Sequence, residues 1–170
     1  SGEIYLYTFT DSVFSGGALA GVIGHGYSGG KNISMGTNDN QILGTNDYFG
    51  WAVSLDGNRL AVGARLGDGY NNSSSNSGDV YLYTFTDSVF SGGELAGMVG
   101  HGYSGGKNIN QSLGSSDRFG FAVALDGNRL AVGARLDDGL NNSRGNAGAV
   151  YLYTFTDSVF SGGAFDAIIG

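Results

Sequence analysis

The sequence predicts an all-β protein: tandem four-stranded antiparallel blades of β-propeller type, with a β-solenoid or filament-forming β repeat as the alternative architecture. Three observations carry this. The thirteen residues YLYTFTDSVFSGG occur unchanged at Tyr5–Gly17, Tyr81–Gly93 and Tyr151–Gly163, and repetition at long fixed spacing signals an array of supersecondary units. Apolar residues alternate with period two in segment after segment, as strands require. No stretch combines a helical period with caps.

The copies lie 76 and then 70 residues apart. The difference falls at one place, where the 18 residues of Ile33–Gly50 face the 12 of Ile109–Gly120. A length change so confined marks a surface loop. The chain then divides into residues 1–32, the back half of a blade plus a connector, and two complete repeats at 33–108 and 109–170.

Each complete unit reads as four strands. In Phe119–Leu125, Phe121, Val123 and Leu125 share one face, and Ala122 and Ala124 share the other. Asp126-Gly127-Asn128 is a tight-turn signal, because Gly and Asn accept positive φ. Arg129–Arg135 forms the second strand. A polar loop rich in Gly, Asn and Asp leads to the third, Ala149–Thr156. There Tyr151, Tyr153 and Phe155 alternate with Val150, Leu152 and Thr154, so both faces are apolar enough to bury. The DSVFSGG turn then leads to a fourth strand, AFDAIIG here and ELAGMVG in the middle copy. Ala122, Ala124, Ala131, Gly133 and Ala134 concentrate small side chains on the first two strands. Such residues let backbones crowd near a propeller axis, while bulkier ones fill the wider outer part of the wedge.

Taken together, these segments resemble the bacterial FG-GAP repeat, a blade module related to those of the integrin α-subunit head. Phe49-Gly50 and Phe119-Gly120 fit its opening. Val62-Gly63-Ala64 and Val132-Gly133-Ala134 fit its second element. Gly78-Asp79-Val80-Tyr81 and Gly148-Ala149-Val150-Tyr151 fit its third. The resemblance implies a propeller blade and a place outside the cell or on its surface. Blades of the integrin type often carry an acidic calcium loop between the first two strands. Here that turn is only Leu55–Asn58 or Leu125–Asn128, with one carboxylate, whereas calcium takes six to eight oxygens.

Composition narrows the function classes. The 170 residues include 33 Gly, no Pro and no Cys, and the net charge is −7. Without Cys there are no disulfides, thiol nucleophiles or Cys-based zinc sites. An acidic chain with few Lys and Arg is a poor partner for nucleic acid or an anionic membrane. No apolar run approaches the length of a transmembrane helix. Aromatic residues at fixed phases, 12% of the chain, set it apart from low-complexity sequence. The chain opens inside a repeat, on Ser1-Gly2-Glu3, as expected of a processed product or an excised piece.

Candidate ligand residues are few. Asp68 and Asn71 in one long loop, and Asp138 and Asn141 in the other, offer oxygens for a weak calcium site, although Asp, Asn and Gly also serve as ordinary turn residues. Asp137 is replaced by Gly67, so the two loops are unequal. Apart from that calcium ion, no cofactor is expected. Gly24–Asn32 and Gly100–Asn108 superficially resemble a phosphate loop, but each ends in Asn where Ser or Thr is needed, and no helix follows. His25 and His101 sit one per repeat, too far apart to chelate together. The Asn-x-Ser triplets at Asn32, Asn71 and Asn141 fit the glycosylation pattern, by chance in a bacterial module.

No acid, base and nucleophile converge, so no enzyme is expected. The leading expectation is a non-enzymatic surface or secreted module for adhesion or self-assembly. Its partners are neighbouring repeats or other copies, with Tyr5–Phe9 and the final strand, including Ile168, as contact edges. The alternative is a lectin-like propeller that binds a surface glycan through Trp51, Tyr48, Tyr70 or Tyr103. Half a blade plus two blades cannot close a ring, which takes at least about four, and open edges invite pairing.

Overall fold

The computed structural model describes residues 2–35 and 43–170; most of the six-residue insertion expected to form a surface loop lies outside them. The protein is all-β, as expected, and among the described residues the only helical segments are two single 3-10 turns, Tyr70–Asn72 and Leu140–Asn142. Among the described residues, twelve strands form three sheets. The first contains β1 (Glu3–Thr8), β2 (Ala18–Gly24) and β3 (Ile33–Ser34). The second contains β4 (Phe49–Asp56), β5 (Arg59–Ala64), β6 (Asp79–Thr84), β7 (Glu94–Gly100) and β8 (Ile109–Asn110). The third contains β9 (Phe119–Asp126), β10 (Arg129–Ala134), β11 (Ala149–Thr154) and β12 (Ala164–Ile169).

The main strands of each sheet are antiparallel and in sequence order, joined by hairpins. This is the blade arrangement. The sheets stack without closing into a ring. The β4–β5 and β9–β10 turns are two-residue loops, with Asp56 opposite Arg59 and Asp126 opposite Arg129. Gly57 and Gly127 supply the positive φ such turns need. The two-residue strands β3 and β8 add in parallel to the outer edge of the preceding sheet. They are too short for a periodic signal, so nothing in the sequence marks them.

DSVFSGG folds the same way three times. Asp11 Oδ1 accepts the Val13 and Ser15 N–H groups at 3.0 and 2.9 Å, and Asp87 and Asp157 repeat the pattern. The Ser15, Ser91 and Ser161 bonds hold the three carboxyls below the usual range. The glycine-rich connectors are turns as well: Asn32 Oδ1 accepts the Val22 N–H, and Asn108 Oδ1 the Met98 N–H.

The core is built between sheets rather than within them. One apolar cluster joins Leu6, Ile23 and Met35 of the first unit to Phe49, Leu60, Val62, Tyr81, Tyr83 and Met98 of the second sheet. The other joins Ala61, Val80, Leu82 and Val99 of the second sheet to Leu125, Leu130, Val132, Tyr151 and Tyr153 of the third. Each blade thus offers a face of smaller residues to its successor and a face of aromatic and bulky residues to its predecessor. Phe119 and Tyr151 pack edge-to-face at 5.4 Å, as do Phe49 and Tyr81 at 5.3 Å, a preferred aromatic geometry.

Crowding of small residues is literal at the blade junction. A Cβ on Gly63 would stand 2.0 Å from the Gly120 carbonyl oxygen, and one on Gly78 would stand 1.9 Å from that of Phe119. The glycines of the second and third elements are therefore where the next blade's Phe-Gly backbone passes.

Candidate functional site

Each complete blade gathers three Asp residues around the loop between its second and third strands. Asp68 Oδ1 accepts the Asn76 N–H at 2.7 Å, and Asp138 Oδ1 accepts that of Asn146 at the same distance. Asn71, Asn72, Asn141 and Asn142 all have left-handed φ, which Asn tolerates. At the mouth of each loop, Asp47 Oδ2 accepts the Gly44 N–H at 2.6 Å, and Asp117 Oδ2 accepts that of Gly114 at 2.7 Å.

The third carboxylate reaches the same region from a strand in one blade and from the loop in the other. In the second blade it is Asp79, at the start of β6, with position 67 a glycine. In the third blade it is Asp137, with Ala149 at the position equivalent to Asp79. A Cβ on Gly67 would stand 2.1 Å from Asp79 Oδ2, so the Asp79 carboxylate fills the space a side chain at position 67 would need. The two substitutions are reciprocal. Each blade keeps one carboxylate here and never has two.

The surroundings of these carboxylates differ. Asp79 is fully buried and its Oδ1 has no hydrogen-bond partner among the described residues. Burial pushes its carboxyl up to about 8, offset only in part by the Gly69 N–H. Tyr103 closes over this pocket, held by the connector through the Tyr70 N–H, which donates to the His101 carbonyl at 2.8 Å, and by ring contact with Tyr70. The equivalent place in the third blade is open to solvent. A cleft of about 490 Å³ remains, lined by Gln111, Asp117, Asp137, Asn141, Tyr151 and Ile168 among others. There the Tyr151 hydroxyl donates to Asp137 Oδ2 at 2.5 Å, and burial raises Asp117 to about 6.

The residues expected to hold calcium divide between loop closure and cleft wall. Asp68 and Asp138 each commit an oxygen to the loop, Asn71 shapes a turn, and Asn141 both shapes a turn and lines the cleft. Among the described residues, no three His, Asp or Glu side chains are grouped to hold a metal ion. Adding EDTA during a thermal melt is expected to leave the midpoint unchanged. A fall of several degrees would show a structural cation that the loops bind through carbonyl oxygens.

The aromatic candidates also separate. Trp51 is 47% exposed on β4, edge-to-face with Tyr48, and the Arg65 guanidinium lies 4.0 Å from its ring centroid. Tyr103 is 2% exposed and presents no face to solvent. Tyr5 stands half exposed on β1, and Ile168 lies on the last strand, all of which is exposed.

Sequence reasoning missed Asp79, Asp47 and Asp117. A signal was present for the first: Gly67 against Asp137, read together with Asp79 against Ala149, is a coupled exchange. Either position alone reads as loop drift.

No curated protein matches the chain. The family model of the FG-GAP repeat matches residues 43–83 and 113–153, spans that run from the approach to the Phe-Gly strand through most of the third strand of each complete sheet. The two matched segments are therefore FG-GAP repeats, and the chain carries them as tandem blades of β-propeller type.

Proposed function

We propose that this protein is a non-enzymatic β-repeat module of the extracellular or cell-surface type, which serves adhesion or self-assembly by completing its stack of sheets with neighbouring repeats or other chains. One observation carries the reading. The three thirteen-residue copies are identical, yet Phe14 is 75% exposed while Phe90 and Phe160 are 7% and 0% exposed. Tyr5, Tyr7 and Phe9 are about half exposed, whereas their counterparts in both later blades are buried. At the other end, Val150, Phe165, Ile168 and Ile169 are exposed. Both ends of the stack thus present the kind of surface that its interior buries, and exposed apolar patches rimmed by polar residues mark interaction sites. FG-GAP repeats are typical of extracellular and surface proteins, which suits this role.

Because the two ends differ, their contact is heterologous and builds rings or filaments rather than closed dimers. Sedimentation velocity is expected to show species heavier than the 17.5 kDa chain, growing with concentration. Phe14→Asp combined with Tyr5→Asp should return the sample to monomer with an unchanged circular dichroism spectrum. A single 17.5 kDa species up to the solubility limit would defeat the assembly reading. A lectin-like reading has one observation in its favour, the exposed Tyr48–Trp51 pair backed by Arg65, since aromatic faces stack on sugars.

A further inference from the structure

At each junction between successive units, a third-strand tyrosine donates its hydroxyl to the connector that precedes its blade. At the second junction the Tyr153 hydroxyl of β11 donates to Gln111 Oε1 at 2.8 Å. At the first, the Tyr83 hydroxyl of β6 donates to Met35 Sδ. The two acceptors hold the same place. Met35 follows β3 and Gln111 follows β8, and their N–H groups donate to the Gly24 and Gly100 carbonyls at 3.0 and 2.9 Å. Tyr83 and Tyr153 occupy one position of the thirteen-residue copies, and both are buried. A single kind of buried hydroxyl thus meets an amide oxygen in one junction and a thioether sulfur in the other. A thioether is a weak acceptor, so the Tyr83 hydroxyl is the less well satisfied of the two.

We propose that Met35 is a site of oxidation by hydroperoxides, and that its sulfoxide oxygen accepts the Tyr83 hydroxyl as Gln111 Oε1 accepts that of Tyr153. A lone pair of Sδ attacks the hydroxyl oxygen of the peroxide. The O–O bond breaks as the S–O bond forms, and sulfur gives up two electrons. The hydroxyl proton passes to the departing oxygen, which leaves as water or an alcohol. A sulfoxide in a core ordinarily disrupts packing, because it puts a polar oxygen among apolar side chains. Here the donor for that oxygen is already in place. The chain has two methionines, Met35 and Met98, and the fold separates them. Met98 is fully buried within β7, and its N–H is held by Asn108 Oδ1 at 2.9 Å. Met35 is 3% exposed, but it lies just past β3, an edge strand that pairs only two residues with β2. A local opening of that short edge exposes the sulfur while the hairpins stay paired.

The full chain is treated with hydrogen peroxide and followed by peptide mass spectrometry and thermal melts. Met35 is expected to gain one oxygen at least about tenfold faster than Met98. The oxidised chain should melt within about 3 °C of the parent, or above it. Met35→Gln, which copies Gln111, should behave in the same way without peroxide. Tyr83→Phe removes the donor. In that background both oxidation and Met35→Gln should lower the midpoint by more than about 3 °C, because the buried oxygen is left unpaired. Met35→Leu should abolish the fast oxygen uptake. Equal oxidation of the two methionines overturns the proposal, and so does a midpoint loss on oxidation that is the same with and without the Tyr83 hydroxyl. Met35→Gln in the parent chain tests the acceptor without touching Tyr83. A loss of more than about 3 °C there would mean that the hydroxyl does not serve an oxygen at this position, which sinks the proposal even if the Tyr83→Phe variant does not fold.

Discussion

Gly67→Asp is expected to cost about 4 kcal/mol, and adding Asp79→Ala should restore most of it. The single substitution drives a new Cβ to within 2.1 Å of Asp79 Oδ2 and confines two carboxylates where each blade holds one. An uncompensated buried charge costs about 3–5 kcal/mol, and overpacking adds to that. The double variant copies the third blade, where Asp137 faces Ala149 and takes a hydrogen bond from Tyr151. Calorimetric melts of the two single variants and the double variant form a cycle, and a coupling energy near zero would mean that the two positions do not share one space.

The same carboxyl sets a pH dependence. Asp79 holds its proton up to about pH 8 in the folded chain, against about 3.9 in an unfolded one. Between those values the unfolded state releases a proton that the folded state keeps. Stability therefore falls as pH rises from about 4 to about 8, and levels off above. Asp117, raised to about 6, acts in the same direction over the lower half of that window. Asp79→Ala should flatten the upper half, so that it is destabilising or neutral near pH 5 and stabilising near pH 8.5. A parent chain with a flat midpoint across this range would contradict the burial of Asp79.

Gly78→Ala is expected to cost about 3 kcal/mol, or roughly 6–12 °C in melting midpoint for a chain of this size. Two costs combine. The residue has φ +90°, which alanine adopts only with strain, and its Cβ would stand 1.9 Å from the backbone carbonyl oxygen of Phe119. Gly148→Ala separates them. Gly148 has nearly the same conformation, φ +80°, but its nearest atom outside the adjoining residues is the Arg135 carbonyl oxygen, at 3.2 Å. It should therefore cost about 1 kcal/mol from strain alone. The difference measures how tightly one blade seats on the next. Equal losses at the two positions would mean that the blades are not held at backbone contact.

Much of this architecture is legible in the residues. Alternation in Phe119–Leu125 and Ala149–Thr156, the Asp-Gly-Asn turn and the Asp of DSVFSGG are local signals, and local backbone geometry obeys them. The small side chains of β5 and β10 even announce that something must come close. The buried acid does not announce itself: Asp79 reads as one more polar residue beside a loop, because its burial is created by Tyr103, 24 positions later, and by the sheet stacked beyond. Trp51 reads as a binding platform, and the fold leaves it exposed on β4 beside Tyr48 and Arg65.

The clearest division lies in the thirteen-residue copies. Sequence alone fixed their strand, turn and side-chain alternation, since the three fold alike, down to the Asp carboxylate accepting two backbone N–H groups. It could not fix their burial. Phe14 meets water where Phe90 and Phe160 are covered, and Tyr5 is half exposed where Tyr81 and Tyr151 are buried. A blade this thin buries its faces only against another blade, so the environment of every side chain on it was decided by what the stack placed next to it.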